Sequence, residues 1–301
     1  MKITLRRLSI IVLVSLLCVS LSACAEKENK VVIGCDNTTE EAILGEILKA
    51  LIENHTDIEV ELIGNIAGGE TILHPAILKG EIDMYPEYTG TAWTDILGRT
   101  EIPEREVLLD ELFTYYENEF DLKWVGLYGF NNSYGLGLYK PIADKYNIKT
   151  YSDLSKYADQ LVFCATPRFF ERKDGFEGMA ATYNFKFKGV VEVAALALKY
   201  DAVTAREVDV INIFTTDGRL ADTNLVLLED DKGYFPEYLC GTVVRIDTLK
   251  KYPELEEVLM KADGILSDTE MAELNYRVET LNELENEVAL NFLREKGLIN
   301  E

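Results

Sequence analysis

Histidine is nearly missing from this 301-residue chain: there are two, His55 and His74. There is no G-x-S-x-G elbow, no H-E-x-x-H pair and no phosphate-cradling glycine-rich loop with its lysine, so the chemistry those motifs carry is not expected. Cys164 as a nucleophile would need a His base nearby, and neither His lies in a motif that suggests that role. Cysteine is also short. The five are Cys18, Cys24, Cys35, Cys164 and Cys240, with no C-x-x-C spacing, which argues against a disulfide framework or a zinc site. The acidic stretches 228–231 and 215–218 lack the spacing of a calcium loop, so no metal and no cofactor is expected. Basic side chains are few, 30 Lys and Arg against 53 Asp and Glu for a net charge of −23. Nucleic acid binding needs clustered positive charge, and nucleic acid is excluded as a partner. Proline and glycine are not enriched, and 48% of residues are hydrophobic, so a disordered or linker-like chain is excluded as well.

The longest apolar run, Leu8 to Leu21, follows the basic residues Lys2, Arg6 and Arg7. It is shorter than the roughly 20 residues that span a bilayer and leads to small residues, the pattern of a secretory signal. Leu21-Ser22-Ala23-Cys24 resembles a bacterial lipobox. That resemblance implies removal of residues 1–23, a lipid on the Cys24 thiol, a polar tether over 24–30 and attachment to the outer face of the cell membrane. The three later cysteines sit in apolar strand-like runs and read as buried thiols.

Beyond the tether, strand-like and helix-like segments alternate. Thr38-x-x-Glu41 reads as a capping box ahead of Ile43, Leu44, Ile47, Leu48, Leu51 and Ile52 at helical spacing. A glycine-rich turn over 64–69 precedes a helix ending at Gly80. Pro103 marks the start of a helix over 104–119. Strand-like runs cover 31–34, 58–63, 82–85, 123–128, 134–139, 161–165, 208–214, 225–228 and 240–244. This alternation predicts an α/β chain with parallel-rich sheets. Residues 76–91 also match 202–217 at a constant offset: Glu81 with Glu207, Asp83 with Asp209, Tyr88 with Phe214 and Thr89 with Thr215. Ligands of open α/β sheets bind beyond the carboxyl ends of the strands. Two such units suggest two similar lobes, each offering an aromatic ring to a shared cleft.

Six motifs lie in order: GEIDMYPEYTGTA (80–92), YGFNNSYGL (128–136), FFERKDGF (169–176), FTTDGRL (214–220), LEDDKGYFPEY (228–238) and MAELNYRV (271–278). With them the mature chain resembles the osmoprotectant-binding family of ABC importer substrate-binding proteins, whose ligands are glycine betaine, carnitine and choline. The resemblance implies a two-lobed type II periplasmic-binding-protein fold with a ligand cleft between lobes. Lobe one would cover 31–132 and 239–301, and lobe two 133–238. It implies a quaternary ammonium ligand, an ABC permease and its ATPase as partners, and an aromatic cage of Tyr88, Tyr134, Phe214 and Tyr238. Such an ammonium has no N–H to donate, so ring faces must attract it. Thr91 matches a threonine that holds the ligand carboxylate in relatives. Arg168 or Arg172 would pair with that carboxylate, or else form a salt bridge within the protein. Asp36 and Phe214 depart from the family pattern, where a polar or basic residue and a tyrosine are usual. HPAILKG (74–80), TGTAW (89–93), LYGFNNSYG (127–135) and IFTTDG (213–218) resemble a branch that imports ergothioneine, in which Asp36 would meet the ligand's ring N–H groups.

Overall fold

A computed structural model describes residues 29–300; the signal, Cys24 and most of the tether lie outside them. Among the described residues, ten strands form two five-stranded sheets. β1 (Lys30–Asp36), β2 (Glu59–Ile66), β3 (Met84–Tyr88) and β4 (Leu122–Asn131) belong to the first. β5 (Tyr134–Tyr139), β6 (Val162–Ala165), β7 (Gly189–Glu192), β8 (Val210–Phe214) and β9 (Leu225–Leu228) make the second, and β10 (Leu239–Arg245) returns to the first. The strand orders are β2-β1-β3-β10-β4 and β7-β6-β8-β5-β9. The chain therefore crosses between sheets twice, at 131–134 and at 229–238.

The sheets are less parallel than the alternation predicts. Each has two parallel and two antiparallel pairings. The crossings explain this. Strands fed by helices run toward the gap between sheets, whereas β5 and β10 start at the gap and must run away from it. They lie antiparallel to both neighbours, with Tyr134 opposite Phe214 and Cys240 opposite Tyr88.

Helix α1 (Thr39–His55) buries its six expected apolar residues on the first sheet, each worth about 1.5–3 kcal/mol when fully removed from water. Only half of its capping box forms. The Thr38 hydroxyl accepts from Glu41 N–H at 3.3 Å, but the buried Glu41 carboxyl turns away from the Thr38 N–H and accepts the Asp36 N–H at 2.5 Å. The expected turn over 64–69 is shorter too. β2 continues to Ile66 beside β1, with one extra residue between the Gly34–Ile63 and Asp36–Ile66 pairs. Asn65, at φ 59°, absorbs that bulge. Helix α2 (Glu70–Lys79) ends as expected on Gly80, at φ 73°. Helix α3 (Arg105–Phe120) is capped by Glu104, so Pro103 sits just outside the helix rather than in its first turn.

The second sheet carries α4 (Pro167–Glu171), which follows β6, and α5 (Leu196–Thr204), which precedes β8. The C-terminal α6 (Asp268–Glu279) and α7 (Glu285–Glu295) pack back on α1 of the first lobe. Cys35, Cys164 and Cys240 are buried free thiols. The internal repeat is visible in the backbone. Asp83 accepts from Val32 N–H at 2.8 Å and its own N–H donates to Val32 O at 2.8 Å. Asp209 makes the same pair with Val162, both bonds at 2.9 Å.

Candidate functional site

The carboxyl ends of β1, β3 and β8 and the starts of β5 and β10 meet around a cavity of about 480 Å³ lined by both sheets. All eight residues singled out in the sequence line it: Asp36, Tyr88, Thr91, Tyr134, Arg168, Arg172, Phe214 and Tyr238. Tyr88 and Phe214 end the two repeated strands, and Tyr134 and Tyr238 stand where the chain crosses between sheets. The Tyr134 ring is central. Its centroid lies 5.0 Å from Phe214, 5.5 Å from Tyr238 and 5.1 Å from Phe169.

Both candidate arginines are already paired. Arg168 Nη1 donates to Asp36 Oδ2 at 2.9 Å and Nη2 to Glu70 Oε2. α4 of the second lobe is thereby tied to β1 and α2 of the first. Gly69, at φ 52°, permits this approach, because a Cβ there would lie 2.5 Å from Arg168 Nη2. Arg172 grips Asp174 with two bonds of 2.7 and 2.8 Å and reaches Asp95 at 3.0 Å. Burial works against the Asp174 carboxylate, yet Arg172 outweighs it and holds the group below the ordinary range. Asp36 also accepts the N–H groups of Asn37 and Gly69 at 2.7 and 3.2 Å.

Sequence reasoning missed the most connected group in the cavity. Glu40, in the first turn of α1, accepts on Oε1 from the Tyr88 hydroxyl and Asn132 Nδ2, both at 2.6 Å. Its Oε2 accepts from the Thr216 hydroxyl at 2.6 Å and Asn275 Nδ2 at 3.1 Å. Asn132, Thr216 and Asn275 lie inside three of the six motifs, so the signal was present without a role attached. Burial raises the Glu40 carboxyl, and these four donors pull it back. Glu87, behind Tyr88, is pushed up to about 8 by burial and then by the Glu70 charge. Its carboxyl oxygens accept the Tyr88 N–H at 2.7 Å and the Tyr85 hydroxyl at 3.0 Å.

Seven carboxyl side chains and three guanidinium groups line the cavity. Among the described residues each of those arginines has a carboxylate partner, the third being Arg219 with Glu279 at 3.9 Å. The arrangement can surround a cation with ring faces and negative charge.

Residues 29–295 match the family described as the substrate binding domain of ABC-type glycine betaine transport systems. The chain belongs to this family. Membership makes these residues a substrate-binding domain of an ABC-type transport system, a family of solute-binding proteins and not of enzymes. The chain is 40% identical over 274 residues to the ergothioneine transport permease/ergothioneine binding protein EgtU of Helicobacter pylori, a match covering 91% of this chain and 49% of that protein. It thus spans about half the length of that relative. It is 34% identical over 267 residues to the carnitine transport binding protein OpuCC of Listeria monocytogenes, covering 88% and 86% of the two chains. A crystal structure described as a glycine betaine/carnitine/choline ABC transporter superposes with a TM-score of 0.78 at 31% identity, covering 90% of this chain and all of that one. The two-sheet α/β fold of this family member is that of the periplasmic binding proteins.

Proposed function

We propose that the protein binds a quaternary ammonium compound in an aromatic cage of Tyr88, Tyr134, Phe214 and Tyr238, and presents it to an ABC permease driven by its ATPase. The observation that carries this reading is the meeting of all four rings on one cavity whose guanidinium groups are already neutralised. A trimethylammonium head needs ring faces and negative charge, each desolvated ring contact being worth ~2 kcal/mol or more. Lobe one, 31–132 with 239–301, and lobe two, 133–238, would close on the ligand. Thr91 and a guanidinium released from its carboxylate would take a ligand carboxylate. Lipidation of Cys24 would hold the protein at the outer face of the membrane.

The 40% identity to an ergothioneine binding protein supports a second reading within the same class: the ligand is ergothioneine, with Asp36 facing its ring N–H groups. Calorimetric titration with glycine betaine, carnitine, choline and ergothioneine separates the readings, and binding of none of them refutes the cage. Tyr134→Ala is expected to weaken the bound ligand by at least ~tenfold in a folded protein; unchanged affinity removes Tyr134 from the cage.

A further inference from the structure

The four rings are not electrostatically alike. Tyr88 donates its hydroxyl to Glu40 at 2.6 Å, and Tyr238 donates its hydroxyl to Asp174 Oδ2. Hydrogen-bond geometry favours the charged form of both acceptors. The two oxygens of Glu40 receive four donors, which favour its charged form against the burial that raises the carboxyl. Asp174 is clamped by the Arg172 fork. A phenol that donates to an anion gains phenolate character, and its ring face becomes more negative. The attraction of a cation to a ring follows the ring's own charge distribution, so these two rings attract it more strongly. The other two rings have cations of the protein beside them: Arg172 lies 5.4 Å from the Tyr134 centroid, and Lys199 lies 5.4 Å from that of Phe214.

We propose that Glu40 and Asp174 are specificity-determining residues for the charge of the ligand's head group. They act through the hydroxyls of Tyr88 and Tyr238, and they separate a trimethylammonium head from a neutral tert-butyl head of the same shape. Arg172 also lies 5.9 Å from the Tyr238 centroid and offsets the Asp174 charge, so the Glu40–Tyr88 pair has the larger effect. The proposal rests on the cage reading above.

The test compares choline with 3,3-dimethyl-1-butanol, its uncharged isostere, by calorimetry on the whole protein. Glu40→Gln is expected to lower the preference for choline by roughly three- to tenfold while affinity for the neutral alcohol stays constant. Tyr88→Phe should cost about the same, and the double variant no more than either single one, as for two residues acting as one unit. Additive losses would mean that Glu40 acts on the ligand by its own charge and would overturn the proposal, as would an unchanged preference in Glu40→Gln. Should Glu40→Gln fail to fold, the cycle of Asp174→Asn with Tyr238→Phe decides by the same criteria with a smaller loss. A wild-type protein that binds both compounds with equal affinity removes the cage reading itself; a wild-type preference that the variants keep removes only this inference.

Discussion

The two repeated units, α2 with β3 and α5 with β8, share a backbone and differ in charge. A left-handed residue follows each helix, each strand ends on a ring, and each following threonine holds the opposite crossing segment. The Thr89 hydroxyl donates to Glu237 O and accepts from Leu239 N–H, both at 3.1 Å. The Thr215 hydroxyl donates to Asn131 O at 2.7 Å and accepts from Ser133 N–H at 2.9 Å. The two crossings are thus clamped by the same device in mirrored roles. Around this common frame the side chains diverge. The first unit has glycine at the left-handed site and a tyrosine bonded to a carboxylate. The second has Arg206 at φ 66° and a phenylalanine beside the buried Lys199. The repeat fixes where the rings stand, while a carboxyl stands behind one and an ammonium beside the other.

The largest test of this asymmetry is Lys199. Its ammonium donates to Asn212 O at 2.6 Å, and burial pushes its pKa down from an ordinary 10.5 to about 8, against the charges of Asp217, Cys164 and Glu279. Between those two values the unfolded chain binds more protons than the folded one, so this residue's contribution makes stability rise with pH across the window. Denaturant unfolding of wild type and Lys199→Met from pH 7 to 11 should show the variant's relative advantage shrinking by on the order of 3 kcal/mol as pH rises. Parallel curves would mean that Lys199 titrates in the folded protein as it does in water.

The clamps come next. Thr89→Val and Thr215→Val keep the shape but leave a backbone N–H without its partner, at a cost of about 1–3 kcal/mol each. Thr89 is buried and Thr215 half-buried, so the first substitution should lower the urea midpoint further. Equal midpoints would show that the two crossings are held equally. The smallest effect is expected at Arg206. Arg206→Gly copies Gly80 and relieves a left-handed conformation that costs an L-residue about 1–2 kcal/mol. It also removes a guanidinium that lies 3.4 Å from the Tyr139 ring centroid, worth ~0.5–1 kcal/mol at an exposed site. The net change should be a stabilisation within about 1 kcal/mol by the same unfolding assay, and a loss of stability would give the larger share to the cation.

Local pattern carried much of this protein. The spacing of Ile43, Leu44, Ile47, Leu48, Leu51 and Ile52 determined a helix and its buried face, because helical period acts over neighbouring residues alone. The run 134–139 determined a strand with the bounds observed. The repeat at 76–91 and 202–217 determined two matching strand ends, and the motifs around Tyr88, Tyr134, Phe214 and Tyr238 put four rings on one cavity. The sheet directions were not legible, because an antiparallel β5 or β10 follows from where the chain crosses and not from its composition. Nor were the partners of the charged groups. Arg168 meets Asp36 and Glu70 across 132 and 98 residues, and Glu40 collects donors from 48 to 235 residues away. A hydrogen bond depends on placement to a few tenths of an ångström. Only the packing of both lobes decided which carboxylate each arginine neutralises and which tyrosine hydroxyl each carboxyl group receives.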